Sequence, residues 1–221
     1  MGKKTMPKAR NEVEVEAHWG KMSSSYNDQM NTYCQQRFIR IIKQYANGRI
    51  LDVGCGTGYV QDHLGQSSIG MDLTLGLLRS NKNNPVCANA EVLPFKDEVF
   101  DLVYSINLLE HVQSPERVIR ECKRVLKKKG VLILITPNKG MELALDAAER
   151  LNLKIPEGPH RFLYPAEIKT FIENNGMESL FAGKMILFPK EMGGVSKMFE
   201  RMELMLQGLC MLQFSISRKN G

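Results

Sequence analysis

Apolar residues three and four positions apart across residues 27–45 (Met30, Tyr33, Phe38, Ile41, Ile42) predict one amphipathic helix. The period then changes. Residues 49–53, Arg-Ile-Leu-Asp-Val, form a short apolar run halted by glycine, which predicts a buried strand entering a tight turn. Further strands are predicted at 68–71, 85–88, 99–105 and 131–135, the last apolar throughout, as a strand covered on both faces should be. Between the final two, Ser114-Pro115 supplies a helix cap and a proline for the first helical position, and Lys129-Gly130 is expected to end that helix. Strands alternating with helices imply a parallel sheet with right-handed crossovers. Beyond Pro137, helices are predicted at 141–151, 165–175 and 195–207, and strands at 178–188 and 209–216.

At 221 residues, with no repeat or evident linker, the chain is expected to form a single domain over residues 11–221 behind a disordered tail of residues 1–10. No apolar run approaches the roughly 18 residues that would span a bilayer. The basic N-terminus lacks the apolar stretch of a secretory signal, and Gly2 followed by Met6 misses a myristoylation pattern, so a cytoplasmic protein is expected. Cys34, Cys55, Cys87, Cys122 and Cys210 form no C-x-x-C pair, so buried reduced thiols are expected, with neither a metal site nor a disulfide framework. The net charge of +6 gathers in the tail and in Lys127-Lys128-Lys129, and aromatics are only 7%. Without aromatics interleaved among the basic residues, this charge reads as solvated surface rather than a nucleic-acid footprint.

Candidate chemistry begins at Leu51-Asp52-Val53-Gly54-Cys55-Gly56-Thr57-Gly58-Tyr59. Glycines after a buried strand let the backbone turn sharply and approach a ligand where a Cβ would collide. The following helix points its free N–H groups at the same place. A dinucleotide fingerprint, G-x-G-x-x-G, would need glycine at Tyr59, which argues against a nicotinamide dehydrogenase. Asp52, inside the strand end, suits a cofactor carrying an ammonium group and hydroxyls better than one presenting a pyrophosphate. Asp72 follows twenty residues later at the end of the second strand, where a carboxylate accepts hydrogen bonds from a ribose. Its local alternative is a helix cap before Leu73-Thr74-Leu75.

With these motifs the chain resembles the class I methyltransferases that use S-adenosylmethionine (SAM), in particular the small-molecule branch of ubiquinone and menaquinone biosynthesis. The likeness continues in Asn89-Ala90-Glu91-Val92-Leu93-Pro94-Phe95, Phe100-Asp101-Leu102-Val103-Tyr104-Ser105, Leu109-Glu110-His111-Val112 and Arg124-Val125-Leu126-Lys127. It implies a Rossmann-like, doubly wound α/β sheet, mostly parallel with an antiparallel C-terminal strand and helices on both faces. Lid helices would occupy about 11–46, the core about 47–137, and a substrate-covering and C-terminal region about 138–221. The resemblance places the methionyl part of SAM on Asp52, Gly54, Gly56 and Gly58, the ribose on Asp72, and the adenine against Leu73, Asn89 and Ala90. Asn89 replaces the family's usual Asp, and its carbonyl oxygen accepts the same hydrogen bond. Ser105 would lie near the methionine moiety. Trp19 with Ser25-Tyr26-Asn27 looks like the family's segment whose tyrosine closes over the cofactor, Tyr26 being as readily a packing residue.

A sulfonium methyl is already activated, so the protein must chiefly align the nucleophile. A general base is needed only for an acceptor that arrives protonated. The candidates are His111, just past the fourth strand, whose structural alternative is a hydrogen bond to the next loop, and His160. His160, Arg161 or Tyr164 is expected to contact the acceptor. His18 and His63 read as surface residues. Val195, Met198, Phe199, Met202, Met205, Leu206 and Leu209 form an apolar stripe that reads as core, with an acceptor pocket or dimer seam as alternatives. The expected partner is a small-molecule acceptor with an O, N or C nucleophile, lipophilic if the stripe lines the pocket. S-adenosylhomocysteine (SAH) would be the product, and the protein a monomer or homodimer. An RNA methyltransferase and a non-catalytic SAM-binding protein remain as alternatives. Against the former, the fourth strand ends Ser105-Ile106-Asn107 rather than in the Asn/Asp-Pro-Pro-aromatic signature of many base N-methylases.

Overall fold

The computed structural model describes residues 12–65, 67–151, 156, 158–189, 191 and 193–221; the expected tail at 1–10 lies outside them. Three N-terminal helices, α1 (Glu12–Met22), α2 (Tyr26–Gln29) and α3 (Thr32–Lys43), precede an alternating core. That core runs β1 (Ile50–Val53), α4 (Tyr59–Leu64), β2 (Ser68–Asp72), α5 (Leu75–Leu78), β3 (Pro85–Cys87), β4 (Phe100–Ile106), α6 (Pro115–Val125) and β5 (Leu126–Pro137). Then come α7 (Glu142–Arg150), α8 (Pro165–Asn174), β6 (Met177–Met185), α9 (Gly194–Met202) and β7 (Leu212–Lys219). The sheet order is β3-β2-β1-β4-β5-β7-β6. Pairing is parallel from β3 to β5, and β7 inserts antiparallel between β5 and β6. This is the expected Rossmann-like sheet with its antiparallel C-terminal strand.

Alternation along the strands divides the apolar residues between two faces. Leu51, Val53, Val103, Leu132 and Leu134 pack against Val118, Ile119 and Cys122 of α6 and Ile168 and Ile172 of α8. On the other face Ile50, Leu102, Tyr104, Ile133 and Ile135 meet Phe38, Ile39 and Ile42 of α3 and Val60 and Leu64 of α4. The sheet is therefore covered twice, which is why its central strands are apolar at nearly every position.

Several boundaries differ from the sequence reading for local reasons. The helix expected over 27–45 is broken: Met30 is extended (ψ 134°), and Asn31 caps α3 by accepting from the Cys34 amide at 3.1 Å. Ser114 and Pro115 begin α6 as expected, but the helix ends at Val125 rather than at Lys129-Gly130. Leu126 already pairs with Phe100, so the lysine run enters β5, where Lys129 adopts φ 63° beside a register shift. The last strand starts at Leu212 rather than 209 because 207–209 form a short 3-10 turn. Cys122 and Cys210 are buried thiols, whereas Cys34 and Cys55 are half-buried and Cys87 is exposed, since β3 is an edge strand. The C-terminal stripe is not core: Val195, Met198, Met205 and Leu209 are exposed and Phe199, Met202 and Leu206 only half-buried. Among the described residues no helix is long and apolar enough to cross a membrane, and no group of metal-ligating side chains gathers.

Candidate active site

The chain after β1 folds back over the end of β2, with the Gly54 and Cys55 amides both donating to the Met71 carbonyl at 2.7 and 3.0 Å. Gly54, Gly56 and Gly58 take φ values of 82°, 52° and 82°, left-handed conformations that admit the turn only without a Cβ. Asp72 fastens this turn. Its Oδ2 accepts from the Gly56 amide at 2.9 Å and its Oδ1 from the Thr74 amide at 2.8 Å. The local, turn-making role of Asp72 is thus present together with its placement against the glycines.

A cavity of about 780 Å³ opens above this turn, at the carboxyl edge of the sheet where ligands of such folds bind. One end is polar, formed by Asp52, Gly54, Gly56, Asp72, Leu73, Asn89 and Ala90. The other is apolar, walled by Met30, Cys34 and Phe38, by Ile186, Phe188 and Pro189 after β6, and by Met211 and Leu212. Tyr26, Trp19 and His111 join the two as an aromatic wall, with edge-on contacts of 5.8 Å from Trp19 to Tyr26 and 5.5 Å from Trp19 to His111.

The cavity is acidic. Asp52 is 3% exposed and accepts from the Tyr104 hydroxyl at 2.9 Å. Burial pushes its carboxyl up to about 8; the Tyr104 bond opposes that shift and the charge of Asp72 adds to it. Burial also raises Asp72, against the stabilising bonds from the Thr74 and Gly56 amides. The Tyr26 phenol is pushed up to about 12 by burial, then by the charges of Asp72, Asp52 and Glu110.

Of the expected site residues, Tyr26, Asp52, Gly54, Gly56, Asp72, Leu73, Asn89, Ala90 and His111 all line this cavity. Asn89 accepts from the Glu91 amide and donates to Glu12, both at 2.8 Å. His111 bonds the Pro159 carbonyl through Nδ1 at 3.0 Å, so its structural role and its place in the cavity wall coexist. Gly58, Ser105, His160, Arg161 and Tyr164 are not among the lining residues. Gly58 caps α4 beside Asn81. Ser105 alternates with Tyr104 and Ile106, so its side chain faces the opposite side of the sheet, where it is buried. His160 stacks on Phe162 at 4.4 Å, Arg161 pairs with Glu167, and Tyr164 is exposed. His18 is no bare surface residue: it packs edge-on against Trp19 and bonds the Pro156 carbonyl at 2.9 Å.

Glu110 is not among the expected site residues. It is fully buried, lines the cavity, and accepts from the Thr136 hydroxyl at 2.9 Å. Its signal was present, since a carboxylate beside a candidate base at the end of a buried strand has no ordinary packing purpose. The apolar wall from the C-terminal third left no such signal, because it is assembled by the sheet topology.

Residues 51–134 match the methyltransferase-domain family model. An uncharacterized protein of Methanocaldococcus jannaschii is 35% identical over 156 residues, 67% of this chain and 64% of that protein's length. The ubiquinone biosynthesis O-methyltransferase of Haemophilus ducreyi is 32% identical over 165 residues, 62% of this chain and 70% of its own. A SAM-dependent methyltransferase structure from Thermotoga maritima superposes with a TM-score of 0.72 at 20% identity, covering 93% of this chain and all (100%) of that one, a likeness of fold. The glycine turn, its paired carboxylates and these relatives agree: the chain belongs to the class I SAM-dependent methyltransferase family.

Proposed function

We propose that the protein transfers a methyl group from SAM to an O, N or C atom of a small-molecule acceptor held in the apolar end of the cavity. The observation that carries this reading is the buried, proton-hungry Asp52 at the foot of a glycine cradle continuous with an apolar chamber. A carboxylate so placed asks for a cation, and no lysine or arginine lines the cavity among the described residues. The residues present fit SAM. A Cβ on Gly56 would meet only Tyr26 Cε1 at 3.9 Å and Leu77 Cδ1 at 4.0 Å, so bare backbone faces open space there. Asp52 suits the ammonium group. Asp72 keeps acceptor capacity for ribose hydroxyls beyond its two amide bonds. Leu73, Ala90 and the Asn89 carbonyl oxygen suit the adenine.

SAM, when bound, supplies the electrophilic methyl on its sulfonium. The chain's own part is to hold the acceptor in line and keep water out, which contributes on the order of 7–11 kcal/mol in favourable cases. His111 is the base we assign for an acceptor that must lose a proton. Its Nδ1 faces a carbonyl, which only accepts, so Nδ1 carries a hydrogen, and Nε2, 4.0 Å from Glu110 Oε1, is the nitrogen left to take up the acceptor's proton. His160, stacked outside the cavity lining, is not assigned that role. The name of the Haemophilus ducreyi relative favours a hydroxyl acceptor. A cytoplasmic setting completes the reading.

Calorimetry with SAM and SAH tests it, followed by metabolite fractions incubated with labelled SAM. Saturable uptake of both ligands is expected, weakened at least about tenfold in Asp72→Ala, the size of a lost charge-assisted hydrogen bond or two. No uptake by the wild-type protein would refute the proposal.

A further inference from the structure

The chain carries a net charge of +6, yet its cavity has the opposite sign. Glu12, Asp52, Asp72, Glu91 and Glu110 line it, and among the described residues no lysine or arginine does. Of the basic groups nearby, Arg117 reaches one lining carboxylate, Glu91, and His111, itself in the lining, stands 4.0 Å from Glu110, while the others are paired outside it. Arg37 pairs with Glu203 at 2.7 Å, Arg117 stands 3.7 Å from Glu91, and Lys139 pairs with Glu142. SAM brings one net positive charge, so the wall stays acidic with the cofactor in place. Asp52 and Glu110 are buried and Asp72 is half-buried, which limits screening of their charge by solvent and salt, whereas Glu12 is exposed; Asp52 adds its charge once the ammonium group of SAM displaces its proton. The Tyr26 phenol, displaced upward by burial and then by three of these carboxylates, registers the same field.

We infer that the acceptor binds without negative charge, as a neutral hydroxyl or amine or as a cation on an apolar body, and that carboxylate- and phosphate-bearing molecules are turned away. The inference rests on the methyl-transfer reading for what the apolar end holds. It agrees with the charge flow of that reaction. The acceptor's lone pair forms the new bond to the methyl carbon, the S–C bonding pair remains on sulfur, and the positive charge passes to the acceptor until a proton leaves. Acidic walls favour that charge at both ends of the transfer.

Three thiols allow a test without knowledge of the acceptor. Cys34 and Cys55 line the cavity, whereas Cys87 is exposed outside the lining. The native protein, with and without SAH, is treated with methanethiosulfonates bearing a trimethylammonium or a sulfonate group, and labelling is followed peptide by peptide. The cation-to-anion rate ratio at Cys34 is expected to exceed that at Cys87 at least tenfold. Burial pushes the Cys34 thiol up to about 12, which slows its reaction, so Phe188→Cys provides a second reporter on the cavity wall. Equal ratios at the cavity thiols and Cys87 overturn the inference, as does turnover of a carboxylate- or phosphate-bearing acceptor with labelled SAM. Calorimetry with SAH on the same sample separates the two readings. A preserved ratio without SAH uptake removes methyl transfer, and the acceptor with it, while the acidic sign of the cavity stands.

Discussion

Asp52 holds a proton over a pH range in which an exposed aspartate has lost it, because burial raises its carboxyl from 3.8 to about 8. Between those values the folded chain binds more protons than the unfolded one. Stability of the ligand-free protein therefore falls as pH rises from about 4 to about 8, then levels. Raised Asp72 contributes with the same sign. A cationic ligand group favours the ionised form, so binding below pH 8 must expel the proton. SAM affinity is expected to climb with pH up to about 8, with proton release visible by calorimetry in buffers of different ionisation enthalpy. Asp52→Asn should abolish both the slope and most of the affinity; a slope that survives in Asp52→Asn would assign the linkage elsewhere. His111→Ala is expected to lower turnover of a protonated acceptor about 10²-fold, the lower end of general-base effects, and His160→Ala to leave it within about twofold. The cavity positions of Asp52, Asp72, Gly54 and Gly56 were legible because they follow from order along the chain: strand, turn, strand end. Ser105 and His160 were not, since whether a side chain at a sheet edge meets the cavity depends on the face it takes and on the loop that stacks over it.

Elements were legible where their stop signals are local. Ser114-Pro115 announces α6, whereas the break at Asn31 hides inside an unbroken apolar period and is made by a cap. Asn31→Ala should cost about 1 kcal/mol in urea titration, since it deletes the bond to the Cys34 amide. The C-terminal wall is fixed by a contact no period could show. Ile186, β-branched and held at φ 64°, offers its own amide and that of Leu187 to Glu203 Oε1 at 2.9 and 3.2 Å. Glu203 is held in turn by Arg37 of α3, bidentate at 3.1 and 2.7 Å. This pair joins the two walls of the apolar end across 166 residues of sequence. Glu203→Ala leaves two amides without their acceptor and the Arg37 guanidinium with only Glu200 at 3.6 Å and the Tyr33 hydroxyl, and is expected to cost about 3 kcal/mol, the lower end for breaking a buried pair. Arg37→Met combined with Glu203→Met should cost less than Glu203→Ala alone, because it strands no charge. Denaturant midpoints of the three proteins settle the order.

At the scale of the molecule, the sheet order places the ends of β1, β2 and β4 side by side, and the N-terminal helices and the C-terminal segments close over them. The alternating core was readable because each strand and helix is a local pattern. The cavity was not, because its apolar end borrows from α3 and, far along the chain, from the turn after β6 and the approach to β7. A ligand that occupies such a cavity ties these distant segments together and should stabilise the whole fold. At a hundred times its dissociation constant, SAH would add about 2.7 kcal/mol. For a chain of this length that corresponds to a rise in Tm of roughly 5–10 °C. Asp72→Ala, at the same SAH concentration, should show about half of that rise or less, since a tenfold weaker affinity leaves about 1.4 kcal/mol. The apolar-end variant Glu203→Ala, although less stable, should keep most of it, since Asp52, Asp72 and the glycine turn are untouched. Equal loss of the SAH response in both variants would mean that the two ends of the cavity fold as one unit rather than as a cofactor cradle and an acceptor chamber.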